Sequence, residues 1–190
     1  TFGLTSANRL VTFNRAAPAV RTAVAISGLQ AGEQLLGIDI RPGGTPAGAL
    51  YALGSSGRIY TLDTSTGAAT QKALLAADST DITNPFAALD GTDFGVDFNP
   101  VVDRLRVVSN TGQNLRINAD TGATITDGTL NTGGAIRTGV AAAAYTNSFA
   151  SACRTMLLFI DTATDRLLTT GGPNGGTGTE IGGLGGDAGA

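Results

Sequence analysis

The sequence predicts an all-β protein with a β-propeller-like fold of about four repeated four-stranded antiparallel units, incomplete or open at the termini. Two observations lead to this prediction. Residues 37–74 and 95–127 repeat the same order of short strands, and apolar residues alternate with polar ones within each strand. A single four-stranded unit cannot bury both of its faces, so the repetition implies that neighbouring units stack face to face. A β-sandwich is the alternative architecture, and the similarity between the units favours the propeller.

The innermost strand of each unit is predicted at residues 37–40 and 95–98. Both segments alternate apolar side chains around an aspartate, and a proline two residues later ends each strand. Small residues are expected on these strands because the blades crowd together near the propeller axis. Gly37 and Gly95 meet this requirement.

The other strands follow in the same order in both units. Turns rich in glycine, serine, asparagine or aspartate separate them, since these residues favour tight turns. The predicted second, third and fourth strands are residues 49–54, 58–63 and 68–74 in one unit and 104–109, 114–118 and 123–127 in the other.

A weaker third copy and part of a further unit complete the prediction. The third copy has strands at residues 142–147, 156–160 and 166–169. Upstream of the first full unit, residues 8–14 resemble a third strand and residues 22–26 a fourth strand. The first unit is therefore expected to lack its innermost strand, and its edge to stay unpaired unless the tail near residues 179–184 or a partner supplies that strand.

Two segments carry weaker signals within the single predicted domain, residues 1–190. Residues 16–25 are rich in alanine, but Pro18 and the β-branched residues after it argue against a helix. Residues 171–190 are rich in glycine, a composition that is typical of a flexible segment.

Three strings carry a resemblance to a known family: LYALGS at residues 50–55, GVDFNP at residues 95–100 and DRLRVVSNTGQNLR at residues 103–116. Together they resemble a family of bacterial exported domains of propeller-like character and unknown function, over nearly the whole chain. The resemblance implies a fold type and export, and it implies no activity and no catalytic residues. Members of that family extend further at the C-terminal end, where another strand and a further unit would follow residues 181–185.

The composition argues against most kinds of enzyme site. The chain has no histidine, which removes the commonest general base and every Ser/His/Asp or Cys/His arrangement. A formal net charge of -3 makes nucleic acid an unfavourable partner. The single cysteine, Cys153, has no partner for an internal disulfide and is expected to be a small buried residue. We predict no catalytic residues, no cofactor and no metal site.

The apolar runs are far shorter than the roughly 20 residues that a membrane-spanning helix requires, which predicts no direct membrane span. The chain begins at Thr1, within an apparent strand rather than at a methionine, which suggests that a signal or anchor segment was removed. We therefore expect an extracytoplasmic protein, either periplasmic or secreted to the cell surface.

The insertion between the two full units, residues 76–93, is a candidate binding element. It carries Asp78, Asp81, Asp90 and Asp93 and no basic residue. Long loops without regular structure often bind partners, so these aspartates are a candidate partner-contact loop. A solvated acidic loop is the simpler interpretation. A calcium site is the third, and the spacing matches no EF-hand or nonapeptide calcium loop.

Asp39 and Asp97 occupy equivalent positions in the two units. Repetition of a carboxylate at a fixed place in a blade favours a strand-bridging or turn-stabilising role, because an active site is usually singular.

Arg104, Arg106 and Arg116 alternate on two neighbouring predicted strands. On one face of a sheet they would form a guanidinium cluster suited to carboxylates or phosphates. Cross-strand pairing with Asp103 and Asp120 on an exposed face is the favoured alternative.

These observations predict a non-catalytic extracytoplasmic protein-interaction module, an accessory or structural subunit of a larger membrane-attached or cell-surface assembly. Its expected partners are other protein subunits. Two alternatives stay open. One is a calcium-dependent hydrolase or lyase in which Asp39 and Asp97 converge on one rim of the propeller. The other is a propeller that binds a small ligand or glycan in its central channel, although the absence of tryptophan disfavours a glycan.

Overall fold

The structure is a computed structural model that describes residues 1–44 and 47–185. Four antiparallel β-sheets are arranged as the blades of a 4-blade β-propeller, which confirms the predicted fold class. Among the residues described, no helix is long and apolar enough to cross a membrane.

The strands of the first three blades follow one another along the chain. Blade 1 consists of β1 (Phe2–Leu4), β2 (Arg9–Asn14) and β3 (Ala17–Ala25). Blade 2 consists of β4 (Leu35–Ile40), β5 (Leu50–Gly54), β6 (Arg58–Leu62) and β7 (Ala69–Leu74). Blade 3 consists of β8 (Ala76–Ala77), β9 (Phe94–Asn99), β10 (Arg104–Ser109), β11 (Asn114–Ile117) and β12 (Ala123–Thr126), with β8 added in parallel to the outer strand β12.

A hairpin and the fourth blade complete the fold. The hairpin is β13 (Asn131–Thr132) and β14 (Ala135–Ile136). Blade 4 consists of β15 (Val140–Tyr145), β16 (Leu157–Asp161), β17 (Arg166–Thr170) and β18 (Thr179–Gly183).

Blade 1 has three strands in the described chain, and the position that it lacks is the innermost one. Asn8, Gly57, Gly112 and Asp165 all have a positive φ, and each lies in the turn before the third strand of its blade. Strand β2 is therefore a third strand, β1 is a second strand and β3 is the outermost. This agrees with the assignment of residues 8–14 and 22–26 from the sequence.

Each blade is also linked to the next at the outer rim. Shortly after each of the first three outermost strands, one residue pairs in parallel with a residue near the start of the next blade's outermost strand. These pairs are Ser27 with Ala68, Ala76 with Ala123 and Asn131 with Thr177. The same linkage after β3 supports its position as the outermost strand of blade 1.

The inner strands β4, β9 and β15 lie side by side around the axis in that order. They approach so closely that a Cβ atom on Gly95 would lie 2.4 Å from the backbone nitrogen of Ala143. A Cβ atom on Gly37 would lie 2.6 Å from a methyl carbon of Val96. Glycine is required at both positions because no side chain fits between the strands.

The apolar core is divided into three clusters, one between each pair of successive blades. The cluster between blades 1 and 2 includes Leu10, the next includes Leu53 and Leu115, and the third includes Val108 and Phe159. Within residues 1–44 and 47–185, no cluster of this kind joins blade 4 to blade 1. The propeller is thus held together through its three consecutive interfaces.

A buried arginine fastens blade 2 to blade 3. Arg41 follows β4, and its guanidinium donates two hydrogen bonds to the carboxylate of Asp103 (2.8 and 2.6 Å) and two to that of Asp120 (2.8 and 2.9 Å). It also donates to the Tyr51 hydroxyl (3.1 Å) and lies 5.7 Å from the ring centroid of Phe98. These two carboxylates raise the pKa of Arg41 despite its burial, so the guanidinium stays charged.

Three segments show how the sequence interpretation compares with the structure. Residues 17–25 form β3 rather than a helix, as Pro18 indicated. Cys153 was expected to be buried and is exposed, because it lies in the connection between β15 and β16, outside the sheet. The outermost strand of blade 4, β18, lies within the glycine-rich segment 171–190, whose residues 186–190 fall outside the described part.

Replacing Arg41 with alanine should lower the free energy of unfolding by about 2–4 kcal/mol, because Asp103 and Asp120 lose their shared counter-charge. Both carboxylates are partly exposed (39% and 52%), which limits the loss. Urea unfolding followed by circular dichroism measures the change. The matched control, Arg21→Ala on the exposed face of β3, should cost less than about 0.5 kcal/mol. Equal costs for the two substitutions would contradict the role of Arg41.

Candidate functional site

Two carboxyl groups lie near the axis on neighbouring inner strands. Asp39 of β4 accepts a 2.7 Å hydrogen bond from the backbone N–H of Phe98 on β9. Asp97 of β9 accepts a 2.7 Å hydrogen bond from the backbone N–H of Tyr145 on β15. Each aspartate therefore binds the inner strand of the next blade, which is the strand-bridging role that the repeated position indicated.

The structure raises the pKa of both carboxyl groups. Burial is the main cause for Asp39, whose pKa rises to about 6 although the N–H groups of Phe98 and Ile40 oppose the shift. Burial and then the charge of Asp39 raise the pKa of Asp97 to about 8. The Asp97 carboxyl group therefore keeps its proton to a higher pH than the Asp39 carboxyl group.

A cleft of about 870 Å³ opens between blade 1 and blade 2, and Asp39 lies on its wall. This volume is in the range of ligand-binding clefts. The lining combines a few polar groups with apolar side chains. Blade 2 contributes Ile38, Asp39, Ile40 and Leu50, and blade 1 contributes Thr1, Phe2, Thr12, Phe13, Asn14 and Arg15.

The cleft lies at the open inner edge of blade 1, which we define as the side of β1 that does not pair with β2. Ile40 of β4 shows the effect of this opening. The equivalent residues of the next two inner strands, Phe98 and Tyr145, are 0% and 6% exposed because they pack into the interface with the preceding blade, whereas Ile40 is 40% exposed. An apolar side chain and a strand edge therefore face the same cleft.

The metal hypothesis required Asp39 and Asp97 to converge with other ligands. They do converge, but among the residues that the structure describes no group of three or more histidine, cysteine, aspartate or glutamate side chains could hold a metal ion. Calcium takes 6–8 oxygen ligands, whereas this pair offers two carboxyl groups.

The acidic segment, residues 76–93, is bound along blade 3 rather than projecting freely. Asp78 donates its backbone N–H to Thr124, and the Asp81 carboxylate accepts the N–H of Thr126 at 2.9 Å. Hydrogen bonds to nearby N–H and hydroxyl groups lower the pKa of both carboxyl groups, led by the backbone of Thr80 for Asp78 and that of Thr126 for Asp81.

The other half of the acidic segment is anchored at the turn between β10 and β11. The N–H of Asp90 donates to Gln113, and the Asp93 carboxylate accepts from the Asn110 amide at 2.6 Å. Phe86 packs against the core between blades 2 and 3. The four aspartates are thus distributed along blade 3 without forming a shared centre, and their assignment as a partner-contact loop stays a prediction.

Arg104, Arg106 and Arg116 line one cavity of about 340 Å³. The expectation that they pair with Asp103 and Asp120 is wrong, because both of those carboxylates bind Arg41 of blade 2. An inter-blade contact of this kind has no signal in the spacing of residues within one unit.

Sequence reasoning also missed the residues that surround these arginines. Asp127 accepts from Arg106 at 2.7 Å and from Arg116 at 2.9 Å. Asn174 lies in the loop of blade 4 and accepts from Arg106 at 2.9 Å. The repeat alignment held one usable signal, since Asn99 occupies the position of Arg41 and leaves more space between the blades.

The Asp39–Asp97 pair should make the folded protein less stable as the pH rises from about 5 to 8. The folded pKa values lie above the unfolded value of 3.8, so over this range the unfolded chain has lost protons that the folded chain keeps. Over this pH range we expect the free energy of unfolding to fall by on the order of 1–3 kcal/mol. The Asp97→Asn variant should lose less than half as much. Urea unfolding at each pH measures the slope.

The control for this experiment is Asp63→Asn. Hydrogen bonds led by the Ser65 hydroxyl lower the pKa of the Asp63 carboxyl, so its contribution is complete below this pH range and the slope should not change. An unchanged slope in Asp97→Asn would contradict the assignment of the titration to the axial pair.

Comparison with known proteins places the chain in a family without assigned function. A search of curated proteins finds no match. A family model described as a domain of unknown function, DUF4394, matches residues 9–190, which includes blades 2 to 4 and all of blade 1 except β1. The match is consistent with the repeat pattern and with the propeller that the chain forms. The chain therefore belongs to the DUF4394 family, the domain of unknown function.

Proposed function

We propose that the protein is a non-catalytic protein-interaction module, an accessory or structural subunit of an extracytoplasmic membrane-attached or cell-surface assembly, and that it accepts a β-strand from a partner subunit at the inner edge of blade 1, which is open among residues 1–44 and 47–185. The exposure of Ile40, where its equivalents Phe98 and Tyr145 are covered, is the observation that carries this proposal. The extracytoplasmic location is part of the proposal, and the family resemblance of the sequence supports it.

The backbone of β1 supports strand addition. Thr1 and Phe13 exchange hydrogen bonds, and Thr5 donates to Arg9. Because N–H groups alternate sides along an antiparallel strand, those of Phe2 and Leu4 point to the open edge. Unpaired strand edges accept extended segments from other chains through backbone hydrogen bonds.

The other blades indicate the register of the added strand. In blade 2, Asp39 lies opposite Tyr51 and Gly37 lies opposite Leu53. The turn alignment makes Phe2 and Leu4 the counterparts of Tyr51 and Leu53. An added strand should therefore run antiparallel to β1 with an aspartate opposite Phe2 and a glycine two residues earlier.

Each position of the added strand has a physical requirement. Its glycine is needed to pass Ile38, as Gly37 passes Val96. Its aspartate faces the N–H of Ile40, the counterpart of the Phe98 N–H that Asp39 binds. The residues on either side of the aspartate point away from β4, because side chains alternate along a strand, and both are apolar in β4 and in β9. The favoured partner segment thus has the pattern glycine, apolar, aspartate, apolar.

The acidic segment is a second contact surface in this proposal. Ile82 follows Asp81 in this segment and is 85% exposed, which is unusual for a large apolar side chain. Asp78, Asp81, Asp90 and Asp93 would give a partner that covers this segment a negative surface to recognise.

A labelled peptide with the sequence of residues 93–100 tests the strand-addition proposal, because it carries the required pattern. Fluorescence anisotropy should give a dissociation constant on the order of 10–100 μM for the wild-type chain. The matched peptide with valine in place of the glycine should bind at least about tenfold more weakly, since valine does not fit against Ile38.

Substitutions in the protein, measured with the same peptide, also test the strand-addition proposal. Ile40→Lys should weaken binding about tenfold, because it places a charge in the contact between β4 and the added strand. The control, Ile136→Lys, changes another exposed apolar residue, on the hairpin β13–β14 outside the cleft, and should leave peptide binding unchanged. Absence of binding, or equal binding of the two peptides, would refute strand addition at this edge.

The convergence of Asp39 and Asp97 favours a second candidate, the calcium-dependent enzyme. Our proposal predicts that millimolar calcium leaves the melting temperature unchanged. A rise that disappears in Asp39→Asn would support a cation bound at the pair instead, because a ligand that binds only the folded state raises its stability. Differential scanning calorimetry with and without calcium distinguishes the two.

A further inference from the structure

The interface between blades 3 and 4 differs in charge from the one between blades 2 and 3. Between blades 2 and 3, one guanidinium, that of Arg41, meets two carboxylates, Asp103 and Asp120. Between blades 3 and 4, Asn99 occupies the position of Arg41, and a guanidinium enters from β10 instead, as Arg106. This guanidinium donates to the Tyr145 hydroxyl at 3.3 Å.

The space that the shorter Asn99 leaves is a cavity of about 340 Å³. Its wall carries three guanidinium groups together with polar groups of Asn99, Asn174 and Tyr145. A neighbouring cavity of about 280 Å³ shares Asn99 and Tyr145 with it and adds a fourth arginine, Arg154. The cleft between blades 3 and 4 is therefore lined by arginines from both blades.

One buried carboxylate does not balance this charge. Asp127 is 5% exposed on its side chain and accepts from both Arg106 and Arg116, using both of its oxygens. Arg104 is exposed and donates to the backbone oxygen of Asp103 at 3.2 Å. Two positive charges in excess remain around a recess that is partly shielded from water, an arrangement that attracts a counter-ion.

Two further carboxylates lie within electrostatic reach of these arginines. Arg104 and Arg116 contribute to the low pKa of Asp78, and Arg104 contributes to that of Asp120. Their oxygens are engaged elsewhere. The Asp120 carboxylate binds Arg41, and the Asp78 carboxylate accepts from the N–H and the hydroxyl of Thr80. Neither supplies a carboxylate to the cavity itself.

We propose that the cavity between blades 3 and 4 binds a small oxyanion with at least two negative charges, of the phosphate type. Arg116 is 30% exposed and Arg104 is exposed, so both can turn donor groups towards a ligand, while Arg106 forms the buried wall. Guanidinium groups match the oxygens of a phosphate in pairs, which makes arginine the preferred side chain for this recognition. The cavity has room for a phosphoryl group with a small substituent. This site is independent of the open inner edge of blade 1.

Inorganic phosphate and malonate are the two probes for this site. Each is titrated into the full chain by isothermal calorimetry at constant ionic strength, with chloride as the reference anion. We expect phosphate to bind more tightly than malonate. Binding of malonate alone would overturn the phosphate assignment, and binding of neither probe would overturn the site.

Variants then locate the binding. Arg104→Gln removes a guanidinium that makes a single backbone hydrogen bond, so the fold is retained, and phosphate affinity should fall at least about tenfold. Arg104→Lys keeps the charge but loses the paired hydrogen-bonding geometry. Its affinity for phosphate should therefore lie between those of the wild-type chain and Arg104→Gln. The control, Arg21→Gln on blade 1, removes the same charge from an exposed strand and should have no effect. An equal loss in Arg21→Gln and Arg104→Gln would show a diffuse effect of net charge and overturn the site.

Discussion

The close approach of successive inner strands is the constraint on which the rest of the structure depends. Gly37 and Gly95 let β4, β9 and β15 lie within van der Waals contact around the axis. The carboxyl groups of Asp39 and Asp97 then reach the backbone N–H of the next strand. Because this contact buries the carboxyl groups, it also raises their pKa values. Packing, hydrogen bonding and titration at the axis thus have one cause.

The same blade-to-blade relation accounts for the difference between the two interfaces that contain an arginine. In each interface a guanidinium lies next to an aromatic side chain. Arg41 follows the inner strand β4, whereas Arg106 lies on β10, the second strand of its blade. At Arg41 the neighbouring turns supply Asp103 and Asp120. At Arg106 one carboxylate, Asp127, is shared with Arg116. The same repeated framework therefore places a guanidinium between two carboxylates at one interface and forms a basic cavity at the next.

The proposed function follows from the one place where this relation is interrupted. Blade 1 contributes second, third and outermost strands in the described chain, so β4 faces a cleft where β9 and β15 face a neighbouring strand. The chemistry that the cleft favours can be deduced from the intact interfaces, since the added strand must satisfy the same contacts. This is the reason why the partner pattern contains a glycine and an aspartate at fixed positions.

The sequence by itself determined the propeller, the order of strands and the position of the incomplete unit, because alternation, turn residues and the repeat at residues 37–42 and 95–100 are local features. It also indicated that Asp39 and Asp97 bridge strands. Only the tertiary structure decided which side chains meet between blades. Arg41 is 62 residues from Asp103 along the chain, and Arg106 is 68 residues from Asn174. Contacts of this range depend on how the blades stack, and no periodicity within a unit records them.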